Sequence, residues 1–291
     1  KMNNKIDISL AEKNFKDLHK AIYKNFISLD KKIKISTSNW KYKTGGGGKS
    51  IILRGNKIIE QAGVNFSSIK GKILPGSALS KKFSKHMKEF YATGLSVVAH
   101  TSNPFAPCSH LNVRFFMTKD KNNKIKWWFG GGFDLTPYFP YTEDTKLWHK
   151  NAKNLCDKYD KTYYKKFKKD CDEYFFIKHR NENRGIGGIF FDGLNKKNFS
   201  HNLSFVNDVG HTYIQTYCGI IIKRSSKKFN KTHKDFQLYR RSRYVEFNLM
   251  YDRGTLFGLQ SGGRIDSILV SLPPKVIWNI PKSAVLKRYE T

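Results

Sequence analysis

The sequence predicts an α+β fold in a single domain, an antiparallel sheet flanked by helices. Three observations carry this. Apolar residues recur every three to four positions over residues 7–30 and again over 142–176. Between and beyond them, runs of two-residue alternation follow one another through short glycine turns, which favours an antiparallel sheet. No repeat, linker or low-complexity stretch divides residues 1–291, and that length suits one large core.

Taken in order, residues 7–30 read as an amphipathic helix. Ser9 and Glu12 are placed as a capping box, and Leu10, Phe15, Leu18, Ile22 and Phe26 form the apolar face. Residues 44–50 (TGGGGKS) read as a flexible glycine-rich loop. They lack the first glycine of a phosphate-binding P-loop, because position 43 is Lys. Strand patterns dominate from Leu95. In residues 110–117, Leu111, Val113, Phe115 and Met117 share one face, and His110, Asn112 and Arg114 share the other. A strand with a packed face and a face of His, Asn and Arg is either the floor of a polar site or solvent-facing. Trp127–Phe129 is a short aromatic strand that runs into GGGFDLTP, with Asp134 at a glycine-lined strand end. Asp134 is there either a turn former or a buried carboxylate facing a ligand. Residues 142–176 read as helix, 185–192 as a glycine-started strand directly after Arg184, and 205–224 as helix. Residues 244–252 alternate and read as strand, and 265–271 read as a last strand stopped by Pro273-Pro274.

The charge is strongly basic, with 54 Lys and Arg against 23 Asp and Glu, a formal +31. That first suggests a nucleic-acid-binding protein. Of those 54, however, 43 are Lys, dispersed along the chain, which reads as a solvated surface. The 11 arginines are more selective, and five of them (Arg240, Arg241, Arg243, Arg253, Arg264) fall within residues 240–264. A guanidinium fork matches carboxylates in a way an ammonium does not. No run of 18 apolar residues predicts a membrane span, and residues 1–10 lack a signal-type apolar core. The four cysteines form no CxxC pair and read as free thiols of a reducing compartment. There is no dinucleotide fingerprint, nucleophile elbow or HExxH. His100, His110, His149 and His179 lack the spacing of a tight ligand pair. They either converge on a metal or are hydrogen-bonded structural residues. What remains is the polar face of His110, Asn112 and Arg114, the carboxylate of Asp134, and Arg184 and Arg264 beside glycines. Arginines with one carboxylate suit a substrate bearing several carboxylates and N–H donors.

Five strings resemble the oxygen-dependent coproporphyrinogen III oxidase family, bacterial type: GGGGKSIILRGNKIIEQAGVNFS (45–67), SVVAHTSNPFAPCSHLNVRFF (96–116), WWFGGGFDLTPYF (127–139), FFIKHRNENRGIGGIFFDGL (175–194) and FQLYRRSRYVEFNLMYDRGTLFGLQSGGR (236–264). The resemblance runs from about residue 40 to 274. It implies a large, rather flat antiparallel sheet sandwiched between helices, in a cytoplasmic homodimer. It also implies conversion of coproporphyrinogen III to protoporphyrinogen IX in haem synthesis. Two propionates become vinyls at the expense of dioxygen, with no flavin, haem or nicotinamide.

Residue by residue, it implies that Asp134 holds the pyrrole N–H groups, that Arg114 and Arg184 bind propionates or stabilise charge, and that His110 donates a proton. Ser96, Asn112, Val113, Arg114, Gly262, Gly263 and Arg264 match substrate-contact segments. The dimer contact is expected around residues 244–278. His100, His110, His149 and His179 match histidines that some bacterial members use for a divalent metal such as manganese, although action without a metal is the commoner description. Ser242 stands where Gly is common, and Gly193 where a second Asp is common. A homologue that binds porphyrinogen without turnover is the remaining alternative within the family.

Overall fold

The computed structural model describes residues 6–72, 87–120, 122–260 and 264–279. Its centre is a seven-stranded, wholly antiparallel sheet, in the order β1 (Lys34–Lys41), β2 (Gly46–Arg54), β3 (Ile59–Gly71), β4 (Met87–Thr101), β5 (Cys108–Asp120), β6 (Ile125–Thr136) and β9 (Gly187–Leu194). The first six strands form a meander, so each new strand pairs with the one just laid down. Between β6 and β9 the chain forms α2 (Thr142–Tyr159), α3 (Tyr163–Tyr174) and a small hairpin of β7 (Phe176–Ile177) and β8 (Glu182–Asn183).

Alternation sorts the two faces of the sheet. Val64, Val97, Leu111, Val113, Phe115, Phe129, Phe133, Ile189 and Phe191 are buried in one apolar core. It is covered by α1 (Ile8–Leu29) and α4 (Phe199–Ser225), with α2 and α3 closing the β9 side. On α1 the apolar period is real, since Ala11, Phe15, Leu18, Ile22 and Phe26 are buried. Leu10 is not part of that face and is exposed. Nor is Ser9 the cap: Asp7 is the N-cap, its side chain accepting from the Leu10 N–H at 2.9 Å, and Glu12 reaches Lys16, Ser68 and Tyr91 instead.

The opposite face carries α5 (Lys231–Met250), α6 (Arg253–Gln260) and α7 (Ile265–Leu269). The expected sandwich of helices around a sheet is therefore present, but two expected strands are helices. Residues 244–252 alternate in sequence, yet Phe236, Tyr239, Tyr244 and Phe247 already mark a helical period that the alternation obscures. The cause is burial on several sides. Arg241 and Arg243 lie inside, paired with Glu60 and with Glu182 and Glu246, so polar residues do not mark a solvent face. Residues 265–271 form the five-residue α7 before Pro273. The glycine-rich segment is not a loop. It turns through Gly45 and Gly46, both at positive φ, and continues as strand β2. The long helical stretch is broken at Asp160, whose side chain accepts from the Thr162 N–H.

Candidate active site

Small residues make the α5–α7 face of the sheet flat. Three rows cross it in register. One runs Asn65, Ser96, Asn112, Gly132, Phe190, the next Gly63, Val98, His110, Asp134, Gly188, and a third Ser67, Gly94, Arg114, Gly130. Glycine at many of these positions lowers the floor so that a broad, flat ligand can lie on it. Above the floor is an open cavity of about 320 Å³, roofed by α6, α7 and the segment after α7. That roof is tied down by long-range bonds. Asn65 Nδ2 donates to the Ser267 carbonyl at 2.8 Å, and Gln61 Nε2 donates to the Leu272 carbonyl at 3.0 Å.

The cavity gathers Ser96, Asn112, Arg114, His110, Arg184 and Arg264, all anticipated from sequence. Val113 is also at its wall, but its side chain belongs to the core. Gly262 and Gly263 lie outside the described residues. The polar face of β5 is thus a site floor and not a solvent face.

Asp134 sits deep in the cavity wall. It shares the cavity face of β6, yet its side chain is only 1% exposed and lies beneath Arg184 and His110. Arg184 Nη2 donates to both carboxylate oxygens, at 2.8 and 2.9 Å, and His110 Nδ1 lies 3.1 Å from Oδ1. Burial opposes ionisation of Asp134, but the Arg184 charge and the His110 hydrogen bond outweigh it and hold the carboxyl below its ordinary range. With Asp134 ionised, His110 Nδ1 must carry the hydrogen, which leaves Nε2 to exchange a proton with the cavity's contents. Burial works against the charge of Arg184 too. Asp134 prevails there, and the guanidinium is held more basic than usual. Arg184 Nη1 donates to Asn248 Oδ1 at 2.8 Å, and the guanidinium packs on the rings of Phe175, Tyr244 and Phe247.

Arg114 is the more available cation. Its side chain is 25% exposed, with Nη1 donating to Asn112 Oδ1 at 2.7 Å and Nη2 3.4 Å from Asp192 Oδ1. Its guanidinium lies across Gly130, where an added Cβ would stand 3.0 Å from Cζ, Nε and Nη2. Gly130→Ala is therefore expected to push Arg114 aside without disturbing the sheet. kcat/KM should fall about tenfold, with a melting temperature within a few degrees of the parent. Steady-state kinetics beside thermal denaturation checks this.

Among the lining residues that sequence reasoning did not assign to the site are Asp192, Asn248, Asp252 and Arg253. Arg253 belongs to the arginine cluster at 240–264, and the alternation of β9 puts Asp192 on the same face as Phe190, so both carried a signal. Within that cluster, Arg240, Arg241 and Arg243 make ion pairs with Glu182, Glu60 and Glu246, while Arg253 and Arg264 reach the cavity.

The four histidines do not fit a shared metal. Burial, with the Arg241 charge, pushes His100 down to about 3, and its Nε2 donates to the Ser271 carbonyl at 2.9 Å, securing the roof. His149 uses both nitrogens, with the Ile186 carbonyl and Tyr164. His179 lies between Glu246 and Tyr251, and His110 is held by Asp134. Among the described residues, no group of three or more His, Cys, Asp or Glu is placed to hold a metal ion.

The surface lysines spread as the sequence suggests. Many, including Lys13, Lys153, Lys166 and Lys231, pair with an acid one helical turn away. Among the described residues, no helix is long and apolar enough to cross a membrane.

Comparison with known proteins identifies the family of the chain. The family model described as coproporphyrinogen III oxidase matches residues 10–287. A protein of Francisella tularensis subsp. holarctica (strain OSU18), named oxygen-dependent coproporphyrinogen-III oxidase, is 54% identical over 261 residues, covering 89% of this chain and 83% of that protein. Relatives with the same name from subsp. mediasiatica (strain FSC147) and subsp. novicida (strain U112) are each 53% identical over 260 residues, with the same coverage. The chain therefore belongs to the coproporphyrinogen III oxidase family.

Proposed function

We propose that this chain is an oxygen-dependent coproporphyrinogen III oxidase, converting two propionates of coproporphyrinogen III to vinyls and yielding protoporphyrinogen IX for haem synthesis. The observation that carries the reading is the flat, glycine-floored cavity with Arg114, Arg184 and His110 on one face, in a chain more than half identical to oxidases of that name. In each half-reaction the propionate loses carbon dioxide together with a hydride equivalent from the neighbouring carbon. Dioxygen takes that hydride and a proton and leaves as hydrogen peroxide.

Arg114 holds a propionate carboxylate and fixes its orientation. His110, with Nδ1 pinned by Asp134, transfers a proton through Nε2. Arg184, buried and locked, keeps a fixed positive field at the wall. Asp134 is a positioning residue for both. Ser96, Asn112 and the backbone of Val113 shape the floor, and Arg264 meets substrate at the rim. No step is assigned to a metal.

The protein acts as one domain, in the cytoplasm, where its four free cysteines stay reduced. It works as a homodimer. Leu249, Met250, Leu259, Ile265, Leu269 and Trp278 are each exposed within the region expected to form the contact, whereas Tyr244 is buried. Sedimentation at micromolar concentration should give twice the chain mass, and a monomer would contradict this.

The functional test is incubation of purified protein with coproporphyrinogen III in air and under argon. Product is expected only in air. Tight binding without product in air would instead identify a catalytically decayed homologue.

A further inference from the structure

We infer that the apolar end of the cavity receives the vinyl group made in the first half-reaction, and so keeps the monovinyl tricarboxylate intermediate in place for the second; the inference rests on the oxidase reading above. Beyond the Arg114 row the floor continues as a fourth row, Ile69, Ala92, Phe116 and Trp128, paired in register across β3, β4, β5 and β6. It stands two residues further along each strand, a step of about 7 Å. The chemistry changes over that step, since no side chain of the fourth row is charged. Trp128 stacks on Phe116, with ring centres 5.4 Å apart and planes 11° from parallel. Ile69, Ala92 and Trp128 are buried and Phe116 is half-buried, and all four line the cavity. Phe257 of α6 and Trp40 of β1 pack against the same cluster and also line the cavity. The Trp40 indole lies across Gly48, where an added Cβ would run into the ring, so the glycine-rich segment seats it.

Each half-reaction removes a carboxylate and leaves an uncharged two-carbon vinyl. A guanidinium has no use for that group, whereas burial against aromatic carbon favours it. Both propionates must meet the same His110, Arg114 and Arg184, because the described residues of the cavity provide one such set. The macrocycle therefore turns between the half-reactions. That turn brings the second propionate to Arg114 and carries the new vinyl away from it. One step along the floor from Arg114 lies the fourth row. A propionate is excluded from it, because its carboxylate would lose water with no charged partner in the row. The starting tetracarboxylate can place only a methyl there. The intermediate places a larger apolar group, so it is the species this end of the cavity retains.

The test compares the two half-reactions in three variants. Phe116→Ser removes the ring and puts a hydroxyl in the row, and Phe116→Leu keeps the row apolar. Trp40→Gln alters the β1 side of the cluster independently of Phe116, and thermal denaturation shows which variants fold. Porphyrinogens are quenched at intervals during turnover of coproporphyrinogen III, oxidised, and separated by carboxylate number. The parent and Phe116→Leu are expected to release little tricarboxylate. Phe116→Ser and Trp40→Gln are expected to release it. Their KM for added monovinyl tricarboxylate porphyrinogen should rise about tenfold, and their KM for coproporphyrinogen III should stay within about threefold of the parent. Equal effects on the two substrates, or no released tricarboxylate, in a preparation whose parent turns over, would overturn this assignment alone. A parent that forms neither tricarboxylate nor dicarboxylate product would bring down the oxidase reading, and this assignment with it.

Discussion

Asp134→Ala is expected to destabilise the protein by about 3–5 kcal/mol and to abolish measurable turnover. The side chain of Arg184 is 2% exposed, so removing its partner leaves a guanidinium stranded in a low-dielectric wall between three aromatic rings. His110 at the same time loses the acceptor that fixes its Nδ1 hydrogen. The same pair gives a pH dependence. The carboxyl of Asp134 is held below its ordinary value in the folded state. Its stabilising contribution is therefore complete above the unfolded carboxylate value near 4 and is lost as pH falls through the depressed folded value. Asp134→Asn should flatten that acid limb while keeping the side-chain volume. Denaturant melts of the three proteins at pH 7 and across the acid range measure both effects. A stable, active Asp134→Ala protein would remove Asp134 from the account.

Arg114→Ala is expected to lower kcat/KM for coproporphyrinogen III about a hundredfold, or roughly 2.7 kcal/mol of transition-state stabilisation, with little loss of stability. Arg114 differs from Arg184 in being partly exposed, and Asp192 retains Arg253 when Arg114 is gone. Lysine at 114 keeps the charge but cannot bond Asn112 and a propionate with one planar fork, so it should recover little of the loss. Kinetics of Ala and Lys variants alongside their melting curves distinguishes a lost fork from lost packing.

Much of the site was legible because it lies on one strand. The alternation of β5 alone places His110, Asn112 and Arg114 together, with Leu111, Val113 and Phe115 opposite. The partners were not legible, because register decides them. Asp134 meets Arg184 across 50 residues, and Asp192 meets Arg114 across 78. Whether Asp134 faces a ligand or lies beneath Arg184 depends on how β9 and the hairpin of β7 and β8 fold back on β6. Burial hid α5 in the same way, since its arginines are paired inside. The edge strand β1 (KISTSNWK) is largely exposed and polar, so it carries no strong alternation to read. The α1 cap was missed because Asp7 and Ser9 are both good cap residues within a single turn.

The most direct test is a mass balance on protein freed of metal by strict chelation and assayed for residual metal. Coproporphyrinogen III in air should give protoporphyrinogen IX with two carbon dioxide released and two dioxygen consumed per macrocycle, at the rate seen before chelation. Folded, dimeric protein that binds the substrate yet forms no vinyl groups, or whose activity vanishes on chelation and returns with manganese, would contradict a site built from His110, Arg114, Arg184 and Asp134.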